Sequence, residues 1–289
     1  MENLNKYPDI RQSPAHARFM KSIGWQVATI NNIQAFIKRL PCLPFSLMKI
    51  QRFNQPLDKQ ALDKIIKKHR VVFLKIEPQI QQPTKLSGFK KDHWPLSPSH
   101  TLWLDLKPSE KQLLAQMKAK TRYNIHLAQK KGLNIKVLRG QQASLTDLKA
   151  FYQIWRQRAR KIHLNPPRFD QLKSLKTAFG QDFFLLLANQ NEQLVTGLII
   201  LKYQQAAWYW HNASTKCGMK LFAPTLLTWQ AIQQAKNSGC RLFDFEGIYD
   251  PRFSQQTKKW QGFTRFKTGF GGQKIQFPGP FVRWLNPFK

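Results

Sequence analysis

Residues 182–214 read DFFLLLANQNEQLVTGLIILKYQQAAWYWHNAS, three apolar segments of strand length joined by polar turns. Such a run predicts three antiparallel strands in succession. The next stretch, APTLLTWQAIQQAKNSG, has Pro224 near its first turn and Gly239 just past its end, the asymmetry of a helix. RLFDFEGI then reads as one more strand. Nearer the N-terminus, WQVATI, LMKIQRF and VVFLKIEP read as strands around a helical DKQALDKIIKKH. A strand-rich pattern crossed by a helix therefore occurs twice. It predicts an α+β protein of two related domains.

Between these blocks, PAHARFMKSI (14–23) predicts a short amphipathic helix, and proline-rich residues 82–100 predict a loop or a domain joint. TLWLDL alternates as a strand does. Ser109 and Gln112 after it have the spacing of a capping box, in which each side chain satisfies a free backbone donor. The helix they open either breaks or continues through KAKTRYNIHLAQKK and stops at Gly132. On a helical wheel Leu113, Leu114, Met117, Ile125 and Ala128 form an apolar stripe, with Lys118, Arg122, His126 and Lys130 in the neighbouring row. That row is either a cation-presenting surface or an ordinary solvated face. NIKVL reads as a strand and TDLKAFYQIWRQRARKI as a helix.

Charge narrows the partners. The 289 residues hold 47 Lys and Arg against 15 Asp and Glu, a formal net charge of +32 spread along the whole chain. A folded body so charged repels itself unless it meets a polyanion: nucleic acid, an anionic membrane surface or a phosphate-rich ligand. Cys42, Cys217 and Cys240 show neither a CxxC pair nor metal spacing, which fits a reducing compartment. The N-terminus lacks the apolar core of a signal peptide, and no apolar run reaches the ~18 residues of a membrane span. The expectation is a cytoplasmic protein.

GxSxG, HExxH, the Walker loop and GxGxxG are all absent. Asp244 and Glu246 lie two apart in LFDFEGI and would share one face of a strand. Such a pair can do acid–base work if desolvation raises one pKa. Pairing with the many cations is the plainer role for Glu246, and apolar neighbours make Asp244 the better candidate. His211, in WYWHNAS, reads as a strand histidine with a partner rather than a ligand. GFTRFKTGFGGQ (262–273) mixes Arg265 and Lys267 with Phe263, Phe266 and Phe270. Aromatics beside cations stack unpaired bases and hold phosphates. A hairpin with its phenylalanines in the core is the plainer alternative.

Taken together, several segments resemble the FemABX family of aminoacyl-tRNA-dependent transferases that build peptidoglycan interpeptide bridges. TLWLDLKPSEKQLLAQMKAKTRYNIHLAQKKG is similar to the family's strand, helix and K-x-R-x-x-I segment. WYWHNAS followed by APTLLTWQAIQQAKNSGCRLFDFEGI resembles its GAS…P…LQW-x-A-I…YDFGG run, and GFTRFKTGFGG its closing G-x-x-x-FK-x-GFGG. Order and spacing agree from about residue 101 to the C-terminus; QSPAHARFMKSIGW and FLKIEP match more weakly.

The resemblance implies two GNAT-like domains packed around a cleft, in the compact FemX-type form without a coiled-coil insertion. The first would span 1–103, completed by 278–289, and the second 104–277. The implied reaction is attack by a peptide amine on the ester carbonyl of an aminoacyl-tRNA. No cofactor beyond that donor is implied. The acceptor would be the stem peptide of UDP-MurNAc-pentapeptide or lipid II. The protein would act as a monomer, with peripheral contact at the anionic inner membrane face. Lys267 would serve the aminoacyl ester and, with Arg265 and Phe266, the tRNA end. Lys21 would bind the nucleotide diphosphate, and Arg160 a second phosphate, with Arg158 as a competing alignment. Arg122, Tyr123 and Asn124 fall in the substrate-binding segment. Asp244 or Glu77 would take the amine proton, or the tRNA 2′-hydroxyl would relay it. The chain departs from the family at IQRFNQP, at Asn212, and at FDFEG, where Glu246 replaces a glycine. An acyl-CoA GNAT enzyme and a non-catalytic RNA- or membrane-binding relative remain the alternatives.

Overall fold

The computed structural model describes residues 7–81, 88–161 and 166–286. The chain forms two compact units. One comprises Met1–His100, Tyr249–Lys259 and Gln276–Lys289; the other comprises Thr101–Ile248 and Trp260–Ile275.

In the first unit, helix α1 (Pro14–Ser22) begins with Pro14 in its first turn, capped by the Ser13 hydroxyl accepting from His16 N. Strands β1 (Gln26–Ile30) and β2 (Ile33–Arg39) pair antiparallel across Asn31 and Asn32, both with positive φ (45° and 68°). That is the backbone a two-residue hairpin needs, and Asn tolerates it. Strand β3 (Ser46–Gln51) extends the sheet antiparallel. Helix α2 (Lys59–Lys68), capped by Asp58, then crosses over so that β4 (Val71–Glu77) pairs parallel to β3 from Ser46↔Val71 to Gln51↔Glu77. Strands β5 (Lys90–Lys91) and β13 (Phe281–Trp284) complete the order β1-β2-β3-β4-β13-β5. Ile37, Met48, Ile50, Leu74 and Ile76 bury one face of the sheet with Leu62 and Ile66 of α2.

Residues 249–259, which include the short helix α9 (Ser254–Thr257), belong to this unit through a buried acid. Asp250 is fully buried, accepts from Ser99 Oγ (2.6 Å) and pairs with Arg252 (2.7 Å). Arg252 in turn donates to the carbonyls of Phe277 and Ser99.

The second unit repeats the plan. Its strands are β6 (His100–Asp105), β7 (Asn134–Arg139), β8 (Phe183–Gln190), β9 (Gln193–Tyr203), β10 (Ala206–Ser214), β11 (Leu242–Gly247) and β12 (Gln273–Gln276), in the order β12-β6-β11-β10-β9-β8-β7. The meander β8-β9-β10 is antiparallel, as its polar turns predict. Helix α8 (Ala223–Asn237) then crosses over, and β11 pairs parallel to β10. The capping box is present: Ser109 N donates to Gln112 Oε1 (2.8 Å) and Gln112 N to Ser109 Oγ (3.3 Å). Its helix breaks. Extended backbone at Met117 separates α3 (Glu110–Gln116) from α4 (Ala119–Lys130). Helices α5 (Leu145–Lys161), α6 (Phe169–Phe179), α7 (Lys216–Lys220) and α10 (Gln261–Lys267) complete the unit. Leu113, Met117, Ile125 and Ala128 join a core that includes Leu227, Ile232, Phe243, Phe245 and Phe270. Lys118, His126 and Lys130 are exposed and Arg122 is half-buried, so the wheel's two rows are observed.

At the entry to β12, Gly272 has φ +93° and no room: an added Cβ would lie 2.7 Å from Trp103 O. Gly239, at φ +80°, has nothing within 4 Å of that position. Gly239→Ala should therefore cost only the left-handed penalty, about 1 kcal/mol. Gly272→Ala should cost that plus a clash with backbone, about 3 kcal/mol in all. Urea unfolding of the two variants checks the difference.

Candidate functional site

The parallel strands of the second unit stay together only briefly. Ala206, Ala207 and Trp208 of β10 pair with Leu242, Phe243 and Asp244 of β11, and the ladder ends there although both strands continue. Each strand is irregular at that level. The register of β10 on β9 slips between Tyr209 and His211, and that of β11 on β6 between Asp244 and Gly247. Such bulges bend a strand and re-aim its side chains. In the first unit, β3 and β4 keep their pairing to the last residue of each strand.

Asp244 fixes the bulge in β11. It is buried and accepts from Trp103 Nε1 (2.9 Å), from Glu246 N (2.7 Å) and from the Thr101 hydroxyl, which also contacts Glu246 O. Glu246 is held at φ 58°, a left-handed conformation uncommon for a residue with a Cβ. The strict alternation expected of Asp244 and Glu246 is therefore interrupted.

Lys267, the last residue of α10, is buried where the two strands part. Its Nζ donates to Gly247 O on β11 (2.7 Å) and lies 5.5 Å from the centre of the Tyr209 ring on β10. Burial pushes its pKa down to about 8, against the opposing pull of Glu246 and then Asp244. On β10, His211 stacks on Trp155 of α5 with ring centres 4.3 Å apart. Burial lowers the His211 pKa to about 4, with Glu246 pulling the other way, so the ring is neutral at physiological pH. The splay thus gathers an ammonium, a carboxylate and a neutral imidazole.

The segment GFTRFK is a helix, not a hairpin. Phe270 packs fully buried on Phe245 (5.7 Å) and meets the half-buried Phe266 edge-on (5.3 Å), while Phe263 is largely exposed. Arg265 and Phe266 line an open cavity of about 440 Å³ together with Asn124, Lys118 and Lys120. Of the other residues expected to bind substrate, Arg122 donates to the carbonyls of Ala115 and Met117 and so ties off the end of α3. Tyr123 is exposed. Arg158 lines a second cavity, about 610 Å³, with Lys161, Lys216 and Lys220, whereas Arg160 is exposed and does not line it. In the first unit Lys21 is exposed in the last turn of α1. Glu77 is buried there and accepts from the backbone of Leu96 and Ser97 and from Gln51 Nε2, which anchors the 96–97 loop.

The FemAB family model matches residues 82–193 and 188–289. This chain belongs to the FemAB family. Its structure is similar to that of FemX, with a TM-score of 0.79 at 17% identity over 98% of this chain and 94% of that one. It is also similar to L-PGS from Bacillus licheniformis (TM-score 0.59, 12% identity, 97% and 94% covered). A tandem GNAT protein from the clavulanic acid biosynthesis pathway matches with TM-score 0.53 and 10% identity, over 87% and 78%. At these identities the likeness is one of fold, and it makes the architecture α+β with two GNAT-like units. No curated protein sequence matches the chain. As a FemAB member it is an acyltransferase, of the family kind that builds peptidoglycan bridges.

Within the FemAB frame, several features were out of reach of the sequence. His211 and Trp155 lie 56 positions apart and meet only because α5 packs on β10. Glu246 comes within electrostatic reach of the Lys267 ammonium, 21 positions further along the chain. The bulge left one trace in the sequence, a glutamate where the family motif has glycine. Gly218, the single glycine of STKCGMK, lets α7 approach β9: a Cβ there would lie 2.4 Å from Val195 O. Among the described residues no helix is long and apolar enough to cross a membrane, and no three His, Cys, Asp or Glu side chains gather as a metal site.

The buried ammonium has a measurable signature. Between about pH 8 and the ~10.4 of a free lysine, the unfolded chain holds a proton on Lys267 that the folded chain has lost. This contribution to stability therefore rises with pH across that window, by on the order of 3 kcal/mol, and is flat below it. Relative to wild type, Lys267→Met should look most stable near pH 7 and lose that advantage by pH 10. Urea unfolding at matched pH values reads it directly.

Proposed function

We propose that the protein transfers an amino acid from aminoacyl-tRNA to the amine of a peptidoglycan precursor stem peptide. The observation that carries this reading is a buried lysine seated between the parted strands of the GNAT-like second unit in a FemAB-family chain. In such a site the donor ester lies with its carbonyl oxygen toward Lys267 Nζ, which stabilises the negative charge that develops on attack. Glu246, beside that ammonium, takes a proton from the incoming amine. The C–N bond forms, the C–O bond to the ribose breaks, and the proton passes to the departing ribose oxygen. Asp244 acts as a positioning residue: its three donors hold the bulge that presents Glu246. Aminolysis of an ester runs downhill, so most of the catalysis is alignment of two large anionic substrates. The net charge of +32 suits both. Either Arg158 or Arg160 would hold a phosphate of UDP-MurNAc-pentapeptide or lipid II, and a lipid-linked acceptor would bring a cytoplasmic, monomeric protein to the anionic membrane face. Beyond the tRNA-borne donor, the chemistry calls for no cofactor.

Incubation with charged total tRNA and the muropeptide acceptor, followed by mass spectrometry, should show a mass increment of one amino acid residue. No increment with any charged tRNA, together with acetyl-CoA protection in a thermal shift assay, would replace this reading with an acyl-CoA one. Lys267→Ala should cut turnover about 100-fold, the loss expected for one oxyanion donor, with RNA affinity unchanged. Glu246→Gln should slow transfer at pH 7 and recover as pH rises, because the amine then arrives already deprotonated. A rate equal to wild type at pH 7 removes Glu246 from the mechanism.

A further inference from the structure

The first unit carries an open groove of about 880 Å³, and none of the residues lining it enters the reaction proposed above. Its walls come from the turn between β2 and β3, from helix α2 and from strand β13. The lining is of two kinds. Pro44, Phe45, Trp284 and Leu285 are apolar, whereas Lys67, Arg70 and Arg283 are cations. Among the described lining residues the single acid is Asp63, and it is paired with Arg283 (3.2 Å). Lys67 and Arg70 are exposed.

The apolar part is presented to solvent by ordered structure. Trp284 is 76% exposed, and Leu43, the neighbour of Pro44, is 49% exposed. The Trp284 ring rests on Phe73 of β4, with ring centres 4.6 Å apart. The turn is closed by Leu40 N donating to Phe45 O (2.9 Å), and Pro41 and Pro44 each fix a backbone dihedral within it. Pro41, Cys42, Leu43 and Pro44 are exposed in succession. An apolar patch of this kind with a polar rim marks a surface that a partner covers.

Charge selects that partner. A second copy of the chain would set like-charged rims against each other, since each copy carries +32. Nucleic acid would match the cations but would leave Leu43 and the two prolines against phosphate. An anionic bilayer matches both parts at once: its headgroups neutralise Lys67 and Arg70, and its interfacial layer takes the indole and the leucine. We propose that this face of the first unit docks the protein reversibly on an anionic membrane surface, with Leu43 and Trp284 entering the interface and Lys67 and Arg70 on the headgroups. An apolar anchor and a basic rim act together here, because one weak signal alone gives only marginal binding. The contact is made to bulk lipid. It therefore goes beyond the acceptor-driven encounter proposed above and holds equally for a soluble acceptor.

The test is co-sedimentation of the full-length protein with vesicles of phosphatidylcholine alone and of phosphatidylcholine mixed with phosphatidylglycerol. Wild type should bind the mixed vesicles and leave the neutral ones largely unbound. Trp284→Ala and Leu43→Ser should each weaken binding to the mixed vesicles about tenfold. Lys67→Gln and Arg70→Gln should each weaken it about fivefold at low salt, and that loss should shrink as salt rises. Lys111→Gln, on α3 of the second unit, controls for general charge and should bind like wild type. Trp284→Phe keeps an apolar ring and should still bind, yet brominated acyl chains should quench its fluorescence less than that of wild type, which has nine tryptophans. Thermal unfolding confirms that each variant folds. Wild-type binding in both Trp284→Ala and Leu43→Ser overturns the proposal, and so does equal binding to neutral vesicles. A dimer, or a complex with duplex RNA, that Trp284→Ala dissolves while no vesicle binds also overturns it, because the face then belongs to that partner. Transfer to the soluble muropeptide should proceed at the wild-type rate in Trp284→Ala and Leu43→Ser; its loss would give the face to the reaction instead of to lipid. Vesicle binding through this face without amino acid transfer by wild type leaves the docking surface standing and removes the proposed function.

Discussion

The site depends on a parallel strand pair that stops pairing early. Three residues of β10 and β11 are joined, and then both strands bulge and separate. A separated strand pair leaves backbone groups without ladder partners, which is costly in a protein interior unless something else bonds to them. Here Lys267 donates to the Gly247 carbonyl, and the Asp244 carboxylate receives the Glu246 amide. The charged groups at the centre of the second unit are therefore also what holds the separation open.

This arrangement explains how a chain so rich in cations buries one of them. An ammonium placed among apolar side chains loses its hydration, and its pKa falls to about 8. It stays in place because a carbonyl, an aromatic face and two carboxylates surround it. The first unit uses the same strand plan without the opening. Its parallel pair shifts register once, between Ser46 and Leu47, but stays joined to the last residue of each strand, and two of its buried carboxylates, Glu77 and Asp250, hold loops in place. The two related units have thus come to differ in the one feature that makes room for chemistry.

Much of the fold could be read from the sequence because its signals are local. The meander 182–214, the α8 helix bounded by Pro224 and Gly239, and the Ser109–Gln112 capping box all rest on residues a few positions apart. Strand β2 is marked in the sequence mainly by the Asn31-Asn32 turn before it, and α6 lies between two stronger patterns. GFTRFK misled for a physical reason. Its phenylalanines and cations alternate irregularly, and only packing decides that Phe270 goes inward, Phe263 stays out and Lys267 is buried with the aromatics. Arg122 and Glu77 carried the charge expected of binding residues, yet each is bonded to nearby backbone carbonyls or amides.

The sequence by itself determined the α+β class, the doubled strand-and-helix plan, the strong positive charge and the family resemblance, because periodicity, turn chemistry and net charge are properties of neighbours and of sums. Only the tertiary structure decided which acids and bases meet. Bulges, helix packing and burial bring His211 to Trp155 and Glu246 within electrostatic reach of Lys267. Those meetings depend on where strands lose their register, and register is a property of pairs of segments rather than of either segment alone.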